Sequence, residues 1–218
     1  MIVEVGPSRR TFARVVAWPG WCRSGRDERS AMAALEGARG RFGKVASAAG
    51  LEVPSEGFEI IERVAGTAVT DFGAIAVTAV ADQRALSSGE RERLFAMLRA
   101  AWKELPAAFD LVPPHRRDLD PARGRSPSRI VQHVLETELM HLAGMTGGRF
   151  RKPEPGDSLA QLAVVQEQLG AAFAATPLET VATPILRHGF RWTPRFVVHR
   201  SAWHALEHAW ELEDRVVA

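Results

Sequence analysis

Cysteine is nearly absent from this chain of 218 residues: Cys22 stands alone. A single thiol excludes an internal disulfide and a Cys-rich zinc site. Beside Trp21 it reads as a small packed residue rather than a nucleophile. Lysine is almost as scarce. Of the 28 basic residues only Lys44, Lys103 and Lys152 are lysines, and the arginines are spread thinly except between Arg116 and Arg129, where Asp118 and Asp120 dilute them. A nucleic-acid groove needs a denser basic stripe with interleaved aromatics. The formal charge of +2 and the pI of about 9.2 therefore fit a solvated loop, and nucleic acid is not an expected partner. No apolar run approaches the ~20 residues that span a bilayer, so no membrane partner is expected either. Met1-Ile2-Val3-Glu4-Val5-Gly6 has no basic segment leading into an apolar one, which makes a secretory signal unexpected and a cytoplasmic location the expectation. A Gly-x-Ser-x-Gly nucleophile elbow is missing, as is a glycine-rich phosphate loop.

What is present is the profile of a globular protein, with 46% apolar and 25% charged residues. The length suits one large domain or two small ones. Two textures divide the chain near residue 85. In residues 1–85, Thr11 to Trp18 is strand-like and Pro19-Gly20 marks a turn. Asp27 caps a helix expected to run through Leu35 and Phe42 to about Ala49. Phe58 to Val64 reads as a strand, and Thr67 to Val80 as strand or loop.

Residues 86–218 read as four amphipathic helices. Ser87 with Glu90 forms a capping box and opens the first, which should stop near Pro113-Pro114. Ser126-Pro127 opens the second, and Gly147-Gly148 ends it. Asp157 or Ser158 opens the third, and Thr193-Pro194 the fourth. The expected fold class is α+β: a small N-terminal α/β domain, then an up-down four-helix bundle.

The chemistry concentrates on the fourth helix. At about 100° per residue, Val197, Ser201, His204, His208 and Glu211 share one stripe. Two imidazoles at i and i+4 can converge on one divalent ion such as Zn, Ni or Fe. A third ligand must come from another helix. On the second helix the wheel favours His141 or Glu138, which lie on the apolar face with Ile130 and Val134, while His133 falls nearer its edge. His204-Ala-Leu-Glu207-His208 also fits the H-x-x-E-H of inverted zinc proteases, but the further acidic ligand is expected well downstream and the sequence runs only ten residues past the motif. Glu138-Leu-Met-His141 fits the Glu-x-x-His of di-iron bundles, but no second such motif faces it.

Two segments carry a resemblance to the DinB/YfiT-like superfamily of metal-binding four-helix bundles, over residues 87 to 216. They are Arg129-Ile-Val-Gln-His133-Val-Leu-Glu-Thr-Glu138 and Trp203-His204-Ala-Leu-Glu-His208-Ala-Trp-Glu-Leu-Glu-Asp214. The resemblance implies His133, His204 and His208 as a three-histidine metal site. It further implies a coordination position open to water, to a small-molecule substrate or to a low-molecular-weight thiol. Thiol S-transferases and hydrolases are the activities it suggests. More loosely, Phe12-Ala-Arg-Val-Val-Ala-Trp18-Pro19-Gly20 with Ser24-Gly25-Arg-Asp-Glu28 resembles the HicB-like antitoxin fold over residues 1 to 65. Such a domain would lid the metal site or mediate homodimerisation. No DNA-binding module accompanies it. The expected function is a divalent-metal-dependent transferase or hydrolase. The alternative is a non-catalytic partner-binding or antitoxin-like regulatory protein. Catalytic residues are not assigned; Glu138 and Glu211 are the nearest candidates for a general base.

Overall fold

The computed structural model describes residues 1–180, 184–185, 189–190 and 192–217, with side-chain contacts for 1–180 and 192–216. The fold is mixed α+β, a small N-terminal sheet followed by helices. Strands β1 (Ile2–Val5), β2 (Thr11–Arg14), β3 (Cys22–Gly25) and β4 (Glu62–Ala65) form one sheet in the order β3-β2-β1-β4. The β1/β2 and β2/β3 pairs are antiparallel, and β4 joins β1 in parallel. Between β3 and β4 lie helices α1 (Glu28–Gly37) and α2 (Arg39–Ala48). A short α3 (Ala68–Phe72) follows β4. Four longer helices complete the main body: α4 (Ser88–Asp110), α5 (Pro127–Thr146), α6 (Ser158–Ala175) and α7 (Pro194–Val217). A two-stranded hairpin, β5 (Pro184–Ile185) with β6 (Gly189–Phe190), precedes α7. No helix among the described residues is long and apolar enough to cross a membrane.

The start signals of the long helices act as their chemistry dictates. Ser87 and Glu90 make the reciprocal capping bonds of α4. Asp157 accepts from the backbone of Leu159 and Ala160 at α6. Thr193 Oγ1 accepts from Phe196 N at 3.1 Å and holds the first turn of α7. Helix α5 closes on Gly147, with φ 74°.

The first half departs from expectation in three places. The single helix expected over 27–49 is two, broken at Ala38 (φ −83°, ψ −6°) between Gly37 and Gly40, both weak helix formers. The strand expected over 58–64 shrinks to Glu62–Ala65, because Phe58 leaves the sheet to pack edge-on against Trp21 at 4.8 Å. The stretch 67–80 holds α3, capped by Thr67, and then an irregular run. That run needs no strand partner. The buried carboxylate of Glu4 accepts from the amides of Ala76 and Val77, meeting the requirement that buried N–H groups be paired.

One apolar core crosses from sheet to helices, taking in Ala13, Trp21, Leu35 and Phe42 together with Leu98, Leu105, Val134, Leu169 and Leu206. Among the long helices, α4 packs on α7, α7 on α5 and α5 on α6, with a thinner α4–α6 contact. The Pro19-Gly20 turn sits directly on α7. Gly20 has φ 89°, and a Cβ there would come within 2.7 Å of Leu206. Arg14 on β2 reaches across to Asp82, with Nη1 donating to Oδ1 at 2.9 Å and Nη2 to Oδ2. Both side chains are essentially inaccessible, at 1% and 0%.

Removing one partner of a fully buried ion pair leaves a bare charge and costs about 3–5 kcal/mol. Asp82→Ala is expected to lose that much in urea unfolding at neutral pH; a loss within about 0.5 kcal/mol, as at an ordinary surface site, would contradict the reading. Burial alone would raise the Asp82 pKa, but the Arg14 guanidinium outweighs it and holds it below the ordinary value. The contribution is therefore present above the usual carboxylate range and disappears as pH falls through the lower folded value.

Candidate metal centre

Helix α7 is buried without interruption from Thr193 to Leu206, so its polar residues must find partners inside the protein. His204 is one of them. It lies 9% exposed, one turn from His208, and both face the edge of α5 that carries His133. The ring centroids stand 4.6 Å (His204–His208), 4.9 Å (His133–His204) and 5.1 Å (His133–His208) apart, each pair edge to face. One ligand atom from each of the three lies within 4.8 Å of the others. The Nε2 atoms of His133 and His204 are 3.2 Å apart. Ligand nitrogens bound at ~2.0–2.1 Å to a tetrahedral zinc stand about 3.3 Å from each other, so this pair is already at coordination spacing.

The third imidazole is oriented by a carboxylate. His208 Nδ1 donates to Glu211 Oε2 at 2.8 Å, which leaves Nε2 as the free donor atom. Arg215 in turn binds Glu211 and donates to the Arg125 carbonyl at 2.7 Å. A carboxylate behind a ligand histidine fixes the tautomer and raises ligand basicity. Burial, supported by Arg125 and His208, draws the His133 pKa down to about 4. Burial also pushes His204 well below its ordinary value, with the neighbouring imidazoles adding to it. Both rings are therefore neutral at physiological pH, the state in which imidazole offers a lone pair.

His141, which the helical wheel favours, is fully buried two turns further along α5. Its ring lies 6.4 Å from His204 and 5.8 Å from Trp192. Nδ1 donates to Glu138 Oε2 at 2.7 Å, and Nε2 is buried without a hydrogen-bond partner. Glu138 is fully engaged. Its other oxygen accepts from Trp102 Nε1 at 2.9 Å and from the Ser201 hydroxyl. Neither Glu138 nor Glu211 is thus a free base, and Ser201 is a buried link rather than open space. Glu207 points outward and pairs with Arg23 at 2.6 Å, so the H-x-x-E-H reading has no base at the site. His199 is structural. Its Nε2 donates to the Val16 carbonyl at 2.6 Å, and burial draws its pKa to about 4.

Two contributors escape sequence inspection, Trp102 and Arg200. Trp102 reaches Glu138 from α4, a contact that no local spacing encodes. Arg200 precedes His204 by one turn, and that spacing is the only signal it leaves.

The chain matches no protein-family model, no curated protein and no solved structure.

Histidines held neutral when folded bind fewer protons than when unfolded. For His133 and His199 the difference falls between about pH 4 and their ordinary pKa of 6.5. Stability must therefore rise with pH across that window and fall on acidification. A urea midpoint that decreases from pH 6.5 to pH 4.5 in metal-free protein is the expected result. A flat or rising midpoint would show that these rings are not buried as described.

Proposed function

We propose that this chain is a divalent-metal-dependent enzyme of the DinB/YfiT-like superfamily, a four-helix bundle that binds Zn, Ni or Fe through His133, His204 and His208. The observation that carries the reading is the convergence of these three imidazoles from two helices, two of them with Nε2 atoms 3.2 Å apart. The donor set fits a borderline divalent ion: three imidazole nitrogens, one backed by the carboxylate of Glu211. An ion held by three protein ligands keeps a position for water, a thiol or a substrate oxygen, whose pKa it lowers or whose bond it polarises. Around it, Glu211 orients His208, and Glu138 holds His141 with its Nε2 lone pair uncovered. His133, His208 and Glu211 are half-buried where His204 and His141 are deep, and give the centre its access to solvent. The reaction is a transfer or hydrolysis on a small molecule, with a low-molecular-weight thiol as one candidate nucleophile.

Elemental analysis of the purified protein tests the proposal. About one equivalent of Zn, Ni or Fe per chain is expected, absent from the His204→Ala/His208→Ala double variant. Glu211→Gln should retain the fold and bind metal roughly 10–100-fold more weakly, the usual cost of losing a carboxylate behind a ligand histidine. A wild-type protein that is metal-free as isolated and takes up none on titration would sink the reading.

A further inference from the structure

Three guanidinium groups lie buried on or beside α7, and two are neutralised. Arg14 has Asp82, and Arg195 has Glu90 at 3.2 Å. Arg200 is 8% exposed and has no carboxylate within ion-pair distance among the described residues. Residues 181–191 contain no Asp or Glu at all. The nearby Glu4 is occupied by Thr70, Ala76 and Val77. Of the five N–H donors on Arg200, those on Nη1 alone find an acceptor among the described residues, the Ile75 carbonyl. Nε is buried without a partner. Among the described residues Nη2 makes no hydrogen bond, and the residue keeps a small exposure of 8%. Burial draws the Arg200 pKa down to about 10, which still leaves a cation at neutral pH.

The place of this cation is informative. Arg200, His204 and His208 are spaced i, i+4, i+8 on α7 and so follow one stripe, with about 6 Å of axial rise between successive members. The Arg200 guanidinium lies over Trp192 at 4.8 Å, Trp192 is 5.8 Å from His141, and His141 is 6.4 Å from His204. Trp192 is seated against α5 at Gly144, where a Cβ would come within 2.9 Å of its ring. Beside the three histidines the chain thus holds a cation without an ion-pair partner among the described residues, against the aromatic face of Trp192.

We infer that the molecule accepted at the three-histidine centre is a small carboxylate, one of its oxygens taken by the Nη2–H of Arg200. The inference rests on the three-histidine site proposed above as the place of binding. A guanidinium N–H gives a carboxylate oxygen a charge-assisted hydrogen bond, about twice as strong as one between neutral groups. A single fixed cation matches a singly charged group.

Glycolate, its neutral analogue glycolamide and inorganic phosphate are the probes, titrated by calorimetry into metal-free and zinc-loaded protein. Wild-type protein is expected to bind glycolate and neither of the others. Arg200→Met should lose about tenfold or more in glycolate affinity, the range for a hydrogen bond to a charged group, and Arg200→Lys should recover part of it. The glycolate–glycolamide comparison on wild type needs no variant, so a misfolded Arg200→Met leaves the inference testable. Equal binding of glycolate and glycolamide, preference for phosphate, no glycolate binding, or an Arg200→Met protein that binds as wild type would each overturn it. If zinc does not bind but glycolate is still selected through Arg200, the metal reading fails and the carboxylate site stands. If zinc binds and glycolate does not, the reverse holds.

Discussion

Everything in this fold is arranged around a helix that carries polar groups into the interior. Helix α7 is inaccessible for over three turns, yet that stretch includes His199, Arg200, Ser201 and His204. A polar group left unpaired in such surroundings costs several kcal/mol, so each needs a partner from elsewhere in the chain. His199 takes Val16, after β2. Arg200 takes Ile75, in the irregular run before α4. Ser201 takes Glu138 on α5, and His204 faces His133 about a turn and a half earlier on the same helix. These contacts leave α7 in directions set by the helical repeat, and together they determine where the sheet, the 73–79 run and α5 must lie. Apolar packing fills in between, with Trp203 against Phe12 at 5.5 Å and Leu206 under the Pro19-Gly20 turn.

The two carboxylates near the histidines do different work. Glu211 lies at the more open end, between His208 and Arg215, and its pKa is lowered first by the His208 hydrogen bond. Glu138 lies at the closed end and gathers Trp102, Ser201 and His141, so that α4, α5 and α7 meet on one side chain. A network of that kind is rigid only if every acceptor is filled, and Glu138 is filled. Its rigidity is what holds His141 with one nitrogen committed and the other bare.

Sequence inspection reached the long helices and missed much of the sheet, for a physical reason. Helices α4 to α7 are announced by local chemistry: the Ser87–Glu90 box, Asp157, Thr193 and the Gly147 stop act within four residues of themselves. Strands β1 and β4 are made by pairing across some 60 residues, Ile2 opposite Glu62, and nothing local to Glu62–Ala65 requires it. The 67–80 stretch is shaped by Glu4, equally remote. At the site, the i,i+4 spacing of His204 and His208 was legible as a shared face. The third imidazole was not, because the wheel ranks positions by burial, and burial selects His141. His133 sits at the edge of the α5 stripe, where a side chain can meet both α7 and solvent. A ring that meets both belongs at such an edge, and a purely apolar criterion passes over it.

The unpaired atoms separate structural polarity from the remainder. Arg14 and Arg195 each carry a buried Nε without a partner, but their charges are neutralised by Asp82 and Glu90. Gln166 lies apart from the histidines, in the groove between α4 and α6 with Phe95 and Arg99. Arg200 and His141 differ from these. One is a cation with no ion-pair partner among the described residues, the other an imidazole with an unpaired nitrogen, and both contact Trp192 beside the histidine cluster. Stability alone would favour an apolar residue at either position, since neither group recovers its desolvation cost within the protein. An anion beside Arg200 would supply the ion-pair partner it lacks among the described residues. That complementarity, on the same stripe as His204 and His208, links the cost carried by the folded chain to what the centre accepts.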